Sequence, residues 1–176
     1  MTVWDDLGRI VIPKEIRRTM RIREGDPMEI FTSREGEILL KKYSPVGELG
    51  EFASVLAESM AQTLGELVCV TDRDYVIAAS GPGKKELEGK TLDEDLQSAI
   101  DQRVYRVFEG DKKELIKIVQ GDEKIYQRQV IGTILAHGDC IGAVVIISKE
   151  NSNTSNEALL QQVKTAAGFL GKHMEQ

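Results

Sequence analysis

The chain has 176 residues, 41% hydrophobic and 30% charged, with a formal net charge of −6. That length suits one large domain or two small ones, and that balance suits a globular chain rather than a disordered one. No apolar run approaches the ~18 residues of a membrane span, and Asp5, Asp6 and Arg9 interrupt any signal-peptide core, so a cytoplasmic protein is expected.

The opening stretch, Asp5 to Arg23, reads DDLGRIVIPKEIRRTMRIR. Asp5-Asp6-Leu7-Gly8 is a turn signal, because aspartates initiate turns and glycine accepts positive φ. The β-branched Arg9-Ile10-Val11-Ile12 predicts a short strand. Pro13 suits the first position of a helix, where its missing N–H costs nothing, and that helix is expected to run to about Met20. Ile16 and Met20 share one face. Lys14, Arg17, Arg18 and Arg21 fall at i, i+3, i+4 and i+7 on another. With Arg9 and Arg23 they make six cations against one acid after the turn, Glu15.

Residues 1–45 carry nine Lys/Arg and eight Asp/Glu, whereas residues 46–176 carry fourteen and twenty-one. Cations segregated beside an apolar face are the footprint a phosphate backbone requires. Arginine adds a planar fork that also reaches guanine edges. A merely solvated basic face is the competing reading, and the segregation weighs against it. The acidic remainder should face away from nucleic acid.

A second turn follows at Arg23–Pro27. Met28–Ser33 and Ile38–Leu40 predict two strands joined by the Arg34-Glu35-Gly36-Glu37 turn. Domains near or below ~40 residues seldom hold a core without disulfides, metals or oligomerisation. This head has no cysteine or metal pattern, so it is expected to dimerise.

Lys41–Pro45 ends the head. Leu49, Phe52, Ala53, Leu56, Met60 and Leu64 then recur at helical spacing, predicting one helix from Val46 to Leu64. It connects the domains and opens the second one. Strands are predicted at Leu67–Thr71 and Tyr75–Ala79, around Asp72-Arg73-Asp74. Ser80-Gly81-Pro82-Gly83-Lys84-Lys85 contains Gly-x-Gly-Lys but lacks the phosphate-loop pattern, so it reads as a turn. A helix is predicted over Thr91–Asp101, with Leu92, Leu96 and Ile100 on one face. Residues 103–129, including Leu115–Val119, read as irregular strands and loops.

Gln129–Ala136 and Ile141–Ser148 predict a hairpin around His137-Gly138-Asp139-Cys140, with a Gly-Asp turn. Ser155–Met174 is an amphipathic helix with Leu159, Leu160, Val163, Ala166, Ala167 and Leu170 as its stripe. His137 is expected to be exposed, and His173 to favour the negative end of this helix. Cys69 and Cys140 sit in apolar surroundings and read as two buried thiols. With two histidines they make no zinc spacing, and no catalytic or cofactor residue is expected.

The unbroken pattern D-x-L-G-R-[IV]-x-[IV]-P-x-E-[IL]-R-R, Asp5 to Arg18, resembles the AbrB-type swapped-hairpin DNA-binding domain of bacterial transition-state regulators. The similarity continues through the second module, so the whole chain resembles the two-domain stage V sporulation regulators of endospore formers. The resemblance implies an α+β protein. Residues 1–45 would be a β-rich head with swapped hairpins, 46–64 a connecting helix, and 65–176 a GAF-like domain. In that domain an antiparallel six-stranded sheet carries helices on one side.

It also implies contact with double-stranded DNA through Arg9, Arg17 and Arg18. Lys14, Arg21 and Arg23 are in the same neighbourhood without being required by the motif. Family members begin with a further strand, whereas only Met1-Thr2-Val3-Trp4 precede the turn here, so the first strand is shortened. GAF domains commonly bind small molecules between sheet and loop segment, here under residues 81–128, and the domain would sense an effector or serve assembly. The implied function is transcription control as a dimer or dimer of dimers. The alternative is an antitoxin-like protein that binds a partner protein, although such tails are short and disordered. A methionine sulfoxide reductase reading finds no support in two lone cysteines.

Overall fold

The structure is a computed structural model and describes residues 7–123, 126–149 and 153–175. It divides into two compact units, Met1–Tyr43 and Ser44–Gln176. The shortened first strand, Trp4 and the start of the Asp5–Gly8 turn lie outside the described residues.

In the first unit, α1 spans Lys14–Thr19, with Pro13 as its N-cap rather than its first helical residue. The Ile22 N–H bonds to the Arg17 carbonyl at 2.8 Å and the Arg21 N–H to that of Arg18 at 3.3 Å. Arg21 has φ 53°. This is a Schellman closure with arginine where glycine is usual. The helical stripe therefore ends at Arg18, and Arg21 lies beyond the helix rather than one further turn along it.

Strands β1 (Met28–Thr32) and β2 (Ile38–Lys42) pair antiparallel, from Met28 opposite Lys42 to Thr32 opposite Ile38. The Ser33 hydroxyl accepts the N–H groups of Glu35 and Glu37, both at 3.2 Å, across a turn where Gly36 has φ 83°. The strand expected at Arg9–Ile12 is reduced to one bridging residue, Ile10. A strand needs a ladder partner along its length, and among the described residues β1 and β2 pair only with each other.

The second unit opens with α2 (Pro45–Glu48) and α3 (Gly50–Leu64). The single helix expected over Val46–Leu64 is thus broken at Leu49. Ser44 and Pro45 start a separate turn, and the weak helix formers Gly47 and Gly50 flank the break. Strands β3 (Leu67–Thr71), β4 (Val76–Ser80), β5 (Tyr105–Glu109), β6 (Arg128–Ala136) and β7 (Asp139–Ser148) form one antiparallel sheet in the order β4-β3-β7-β6-β5. Helix α4 spans Glu94–Asp101 and α5 spans Asn156–Met174, each capped by a side chain, Asp93 and Ser155.

The pleat sorts the core into two layers. Val68, Val70, Val130, Val144 and Ile146 pack with α3 and α5 on one face. Leu67, Cys69, Ile131, Val145 and Ile147 pack with α4 and with Leu87, Leu92, Leu115, Ile118, Val119 and Tyr126 on the other. Both faces are covered, so the central strands are apolar almost continuously. The sheet has five strands among the described residues, not six. Its helices lie on both faces, because the second face is as apolar as the first.

Three local expectations also change. Helix α4 starts at Glu94 because Asp93 caps it, while Thr91 and Leu92 bridge to Tyr75 and Val119. The segment Tyr105–Glu109 is a regular edge strand. The hairpin turn is His137-Gly138, with φ 49° and 84°, the type I′ sign pattern, so Asp139 already belongs to β7.

The segment Leu115–Val119 buries Leu115, Ile118 and Val119 but forms no strand. Side chains replace the ladder its backbone lacks. The fully buried Gln129 amide donates to the Ile116 carbonyl at 2.7 Å and accepts its N–H at 3.0 Å. Asp95 accepts the Lys117 N–H at 3.0 Å, and Asp122 accepts that of Ile118 at 2.8 Å.

Candidate nucleic-acid interface

The six cations singled out by the sequence divide into two groups. Arg9, Lys14, Arg17 and Arg18 are exposed, whereas Arg21 and Arg23 are half-buried. Helix α1 brings Lys14, Arg17 and Arg18 onto one short element, because residues three and four apart share a face. Pro13 fixes where that element begins. The one acid of the helix, Glu15, lies in its first turn, where the helix dipole favours it.

Arg21 and Arg23 frame a polar knot that holds the helix to the hairpin. The Lys42 ammonium donates to the Arg21 carbonyl at 2.9 Å and lies 2.9 Å from Asp26. The Asp26 carboxylate accepts the Arg23 N–H at 2.7 Å. Burial pushes the Asp26 carboxyl up. The Arg23 hydrogen bond and the Lys42 and Arg23 cations outweigh it and hold the group below its ordinary value. Asp26 and Lys42 escaped the sequence reading, since they meet across sixteen residues with no local pattern.

The first unit has no buried side chain among residues 7–43. Leu7, Val11, Ile30 and Ile38 are each 60% or more exposed. A unit this small that buries no side chain among its described residues ordinarily needs a partner to complete a core.

In the second unit Cys69 is buried and Cys140 only half-buried, so the expectation of two buried thiols holds for one. His137 is exposed at the hairpin turn. His173 lies 4.8 Å from the Phe52 ring, between α3 and α5. A cavity of about 270 Å³ lies between Leu67 and Ile147 of the sheet and Glu86, Leu87, Lys90, residues 119–123 and Tyr126. No group of metal-ligating side chains occurs among the described residues, and no helix there is long and apolar enough to cross a membrane.

Residues 48–175 match the family described as stage V sporulation protein T C-terminal, transcription factor. Residues 1–48 match that described as antidote-toxin recognition MazE, bacterial antitoxin. Stage V sporulation protein T of Bacillus subtilis strain 168 is 51% identical over 172 residues, covering 98% of this chain and 94% of that protein. The transition state regulatory protein AbrB of the same organism is 56% identical over 41 residues, 23% of this chain and 42% of that one.

Among solved structures, the cofactor-binding GAF domain of the nutrient sensor CodY from Clostridium difficile superposes with a TM-score of 0.52 at 15% identity. It covers 69% of this chain and 85% of that one. The GAF domain of an Acinetobacter phosphoenolpyruvate-protein phosphotransferase gives 0.58 at 12% identity, covering 76% and 84%. At such identities the likeness shows the fold alone, a GAF-like α/β second unit, while the AbrB-like head rests on the sequence matches over the first residues. Matched along nearly its whole length at half identity, the chain belongs to the stage V sporulation protein T family of transcription factors.

Proposed function

We propose that this chain controls sporulation genes as a homodimer that binds double-stranded DNA through Arg9, Lys14, Arg17 and Arg18 of each copy. The observation that carries the reading is the exposure of these four cations on a unit with no buried core of its own. A second copy would cover Leu7, Val11, Ile30 and Ile38, and would double the cationic surface. Arg21 and Arg23 serve this interface indirectly, by fixing α1 against the hairpin. The first unit is the DNA-binding head, and the second senses an effector or sustains further assembly. The protein acts by binding rather than by catalysis.

The antitoxin-like reading is weaker. A sequestering tail is a short disordered segment, whereas Ser44–Gln176 is a compact unit with two core layers. Fluorescence anisotropy on an A·T-rich duplex at several salt concentrations tests the DNA reading. Two copies neutralising about eight phosphates give a log–log salt slope of about −7. A flat salt dependence would overturn it, and a monomer in sedimentation equilibrium would overturn the dimer.

A further inference from the structure

Helix α1 carries Lys14, Arg17 and Arg18 yet has little of its own to hold it. It is six residues long, buries no side chain, and its N-cap Pro13 makes no side-chain cap hydrogen bond. Isolated helices shorter than ~12–15 residues are marginal in water. The Thr19 hydroxyl donates to the Glu15 carbonyl at 2.9 Å, which ties the helix only to itself. What aims its cations must come from contacts beyond the helix.

One ammonium supplies such a contact. Lys42 is the last residue of β2. Its Nζ meets the Arg21 carbonyl and the Asp26 carboxylate, each at 2.9 Å, and Asp26 also accepts the Arg23 N–H at 2.7 Å. Arg21 is the left-handed residue that closes α1, and a cation just past a helix C-terminus sits where the dipole favours it. The Lys42 and Asp26 side chains are only 19% and 9% exposed. The adjacent Lys41 is exposed, opposite Glu29, because successive strand residues point to opposite faces. Two neighbouring lysines that charge alone makes equal thus differ in surroundings.

We propose that Lys42 is a positioning residue for DNA recognition: paired with Asp26, it docks the end of α1 on β2 and so sets where Arg17 and Arg18 meet the duplex, without itself touching DNA. The inference rests on the DNA-binding reading of the first unit. Phosphate attraction follows charge and supplies non-specific binding. Discrimination among sequences requires contacts held in a fixed register. Lys42 and Asp26 therefore act on discrimination, and with the same sign although their charges are opposite.

The test titrates the full chain by fluorescence anisotropy on two duplexes, the tightest one it selects from a random-sequence pool and a scrambled duplex of the same composition. The ratio of the two affinities is the readout. Lys42→Met should lower that ratio by about tenfold, the discrimination that one misplaced arginine contact forfeits. Asp26→Asn should lower it too, although it removes a negative charge and by attraction alone would tighten binding to both duplexes. Lys41→Met removes the same charge as Lys42→Met and should leave the ratio unchanged. The double variant Asp26→Asn/Lys42→Met should lose no more than Lys42→Met alone, since the pair acts as one unit. In the free chain, hydrogen exchange should show the Ile22 amide losing protection in Lys42→Met, while the Phe31 and Leu39 amides of the hairpin keep theirs.

A ratio in Lys42→Met equal to that in Lys41→Met overturns the proposal. So does a ratio unchanged or raised in Asp26→Asn, or an Ile22 amide still protected in Lys42→Met. The Asp26→Asn result stands whether or not Lys42→Met folds. A native chain that binds neither duplex would overturn the DNA reading and this inference with it. The other failures all arise with the native chain bound, so the two are distinguishable.

Discussion

The Ser44 hydroxyl donates to the Asp72 carboxylate at 2.6 Å. Ser44 is the first residue of the second unit and the N-cap of α2, where its oxygen also accepts the Gly47 N–H at 3.1 Å. Asp72 is 8% exposed and receives the N–H groups of Asp74 and Tyr75, both at 2.7 Å. One carboxylate therefore shapes the β3–β4 turn and anchors the chain where the second unit begins. Removing it strands buried donors, each costing about 1–3 kcal/mol. Asp72→Ala should destabilise the second unit by ~2 kcal/mol or more, whereas Ser44→Ala, losing one cap and one hydrogen bond, should cost ~1–2 kcal/mol. Hydrogen exchange is the direct check: the Asp74 and Tyr75 amides should lose protection in Asp72→Ala and keep it in Ser44→Ala.

The two groups of arginine should respond differently to truncation. Arg17 and Arg18 are exposed, so Arg17→Ala/Arg18→Ala should leave the melting temperature nearly unchanged. In a dimer the double variant removes about four phosphate contacts, and its salt slope should be shallower by about 3–4. Arg23→Ala should instead lower the melting temperature of the head slightly, because it removes the half-buried Arg23 side chain and its charge beside Asp26 while keeping the backbone N–H bond to that carboxylate. An Arg23→Ala variant that weakens DNA binding as much as the double variant, at full stability, would return Arg23 to the contact surface.

Charge made the head legible from sequence, since segregated cations survive any uncertainty about helix ends. Continuous apolar runs made β3, β6 and β7 legible, and a nineteen-residue stripe did so for α5. Arg21 was misjudged because a helical spacing rule cannot see a left-handed residue that ends the helix first. Leu115–Val119 is legible only as irregular structure, which it is, and the burial of Leu115, Ile118 and Val119 is not legible. Its burial depends on hydrogen bonds from Gln129, Asp95 and Asp122, up to twenty-two residues away. Strand β5 was missed because it is a half-exposed edge, Tyr105 to Glu109, whose alternation is blurred by Phe108 beside Val107. The residues that line the cavity were equally hidden, coming from four separate parts of the chain.

The head should be acid-sensitive through Asp26. The folded carboxyl titrates below its ordinary value, so its contribution is fully present above the unfolded pKa of about 3.9. It is lost as pH falls through the lower folded value. Asp26→Asn keeps the shape and removes the charge, so it should flatten the pH dependence of the head's melting temperature between about pH 5 and the acid limit. Side-chain carbon NMR titration of Asp26 provides the check, and an ordinary midpoint there would sink the prediction.

The two thiols should differ in reactivity. Burial pushes the Cys69 thiol up to about 12, and its side chain is fully enclosed. Thiolate is the reactive form, so Cys69 should be inert in the native protein. Cys140 is half-buried at the start of β7. A thiol-specific reagent at neutral pH should modify one group per chain natively and two in denaturant, and none natively in Cys140→Ser. Native labelling that persists in Cys140→Ser would mean the sheet opens at β3.

Two glycines of α5 should respond to alanine with opposite signs. Alanine in a helix is ordinarily favoured over glycine by about 1 kcal/mol. At Gly168 the added methyl meets nothing within 4 Å, so Gly168→Ala should stabilise by ~0.5–1 kcal/mol. At Gly171 it would collide with the Leu135 backbone carbonyl. A carbonyl within a central strand cannot swing aside as a flexible side chain can, so α5 must lift from β6. The overpacking cost of about 1–3 kcal/mol then exceeds the propensity gain. Gly171→Ala should therefore lower the urea midpoint while Gly168→Ala raises it. Equal shifts in the two variants would mean that α5 does not approach β6 through Gly171.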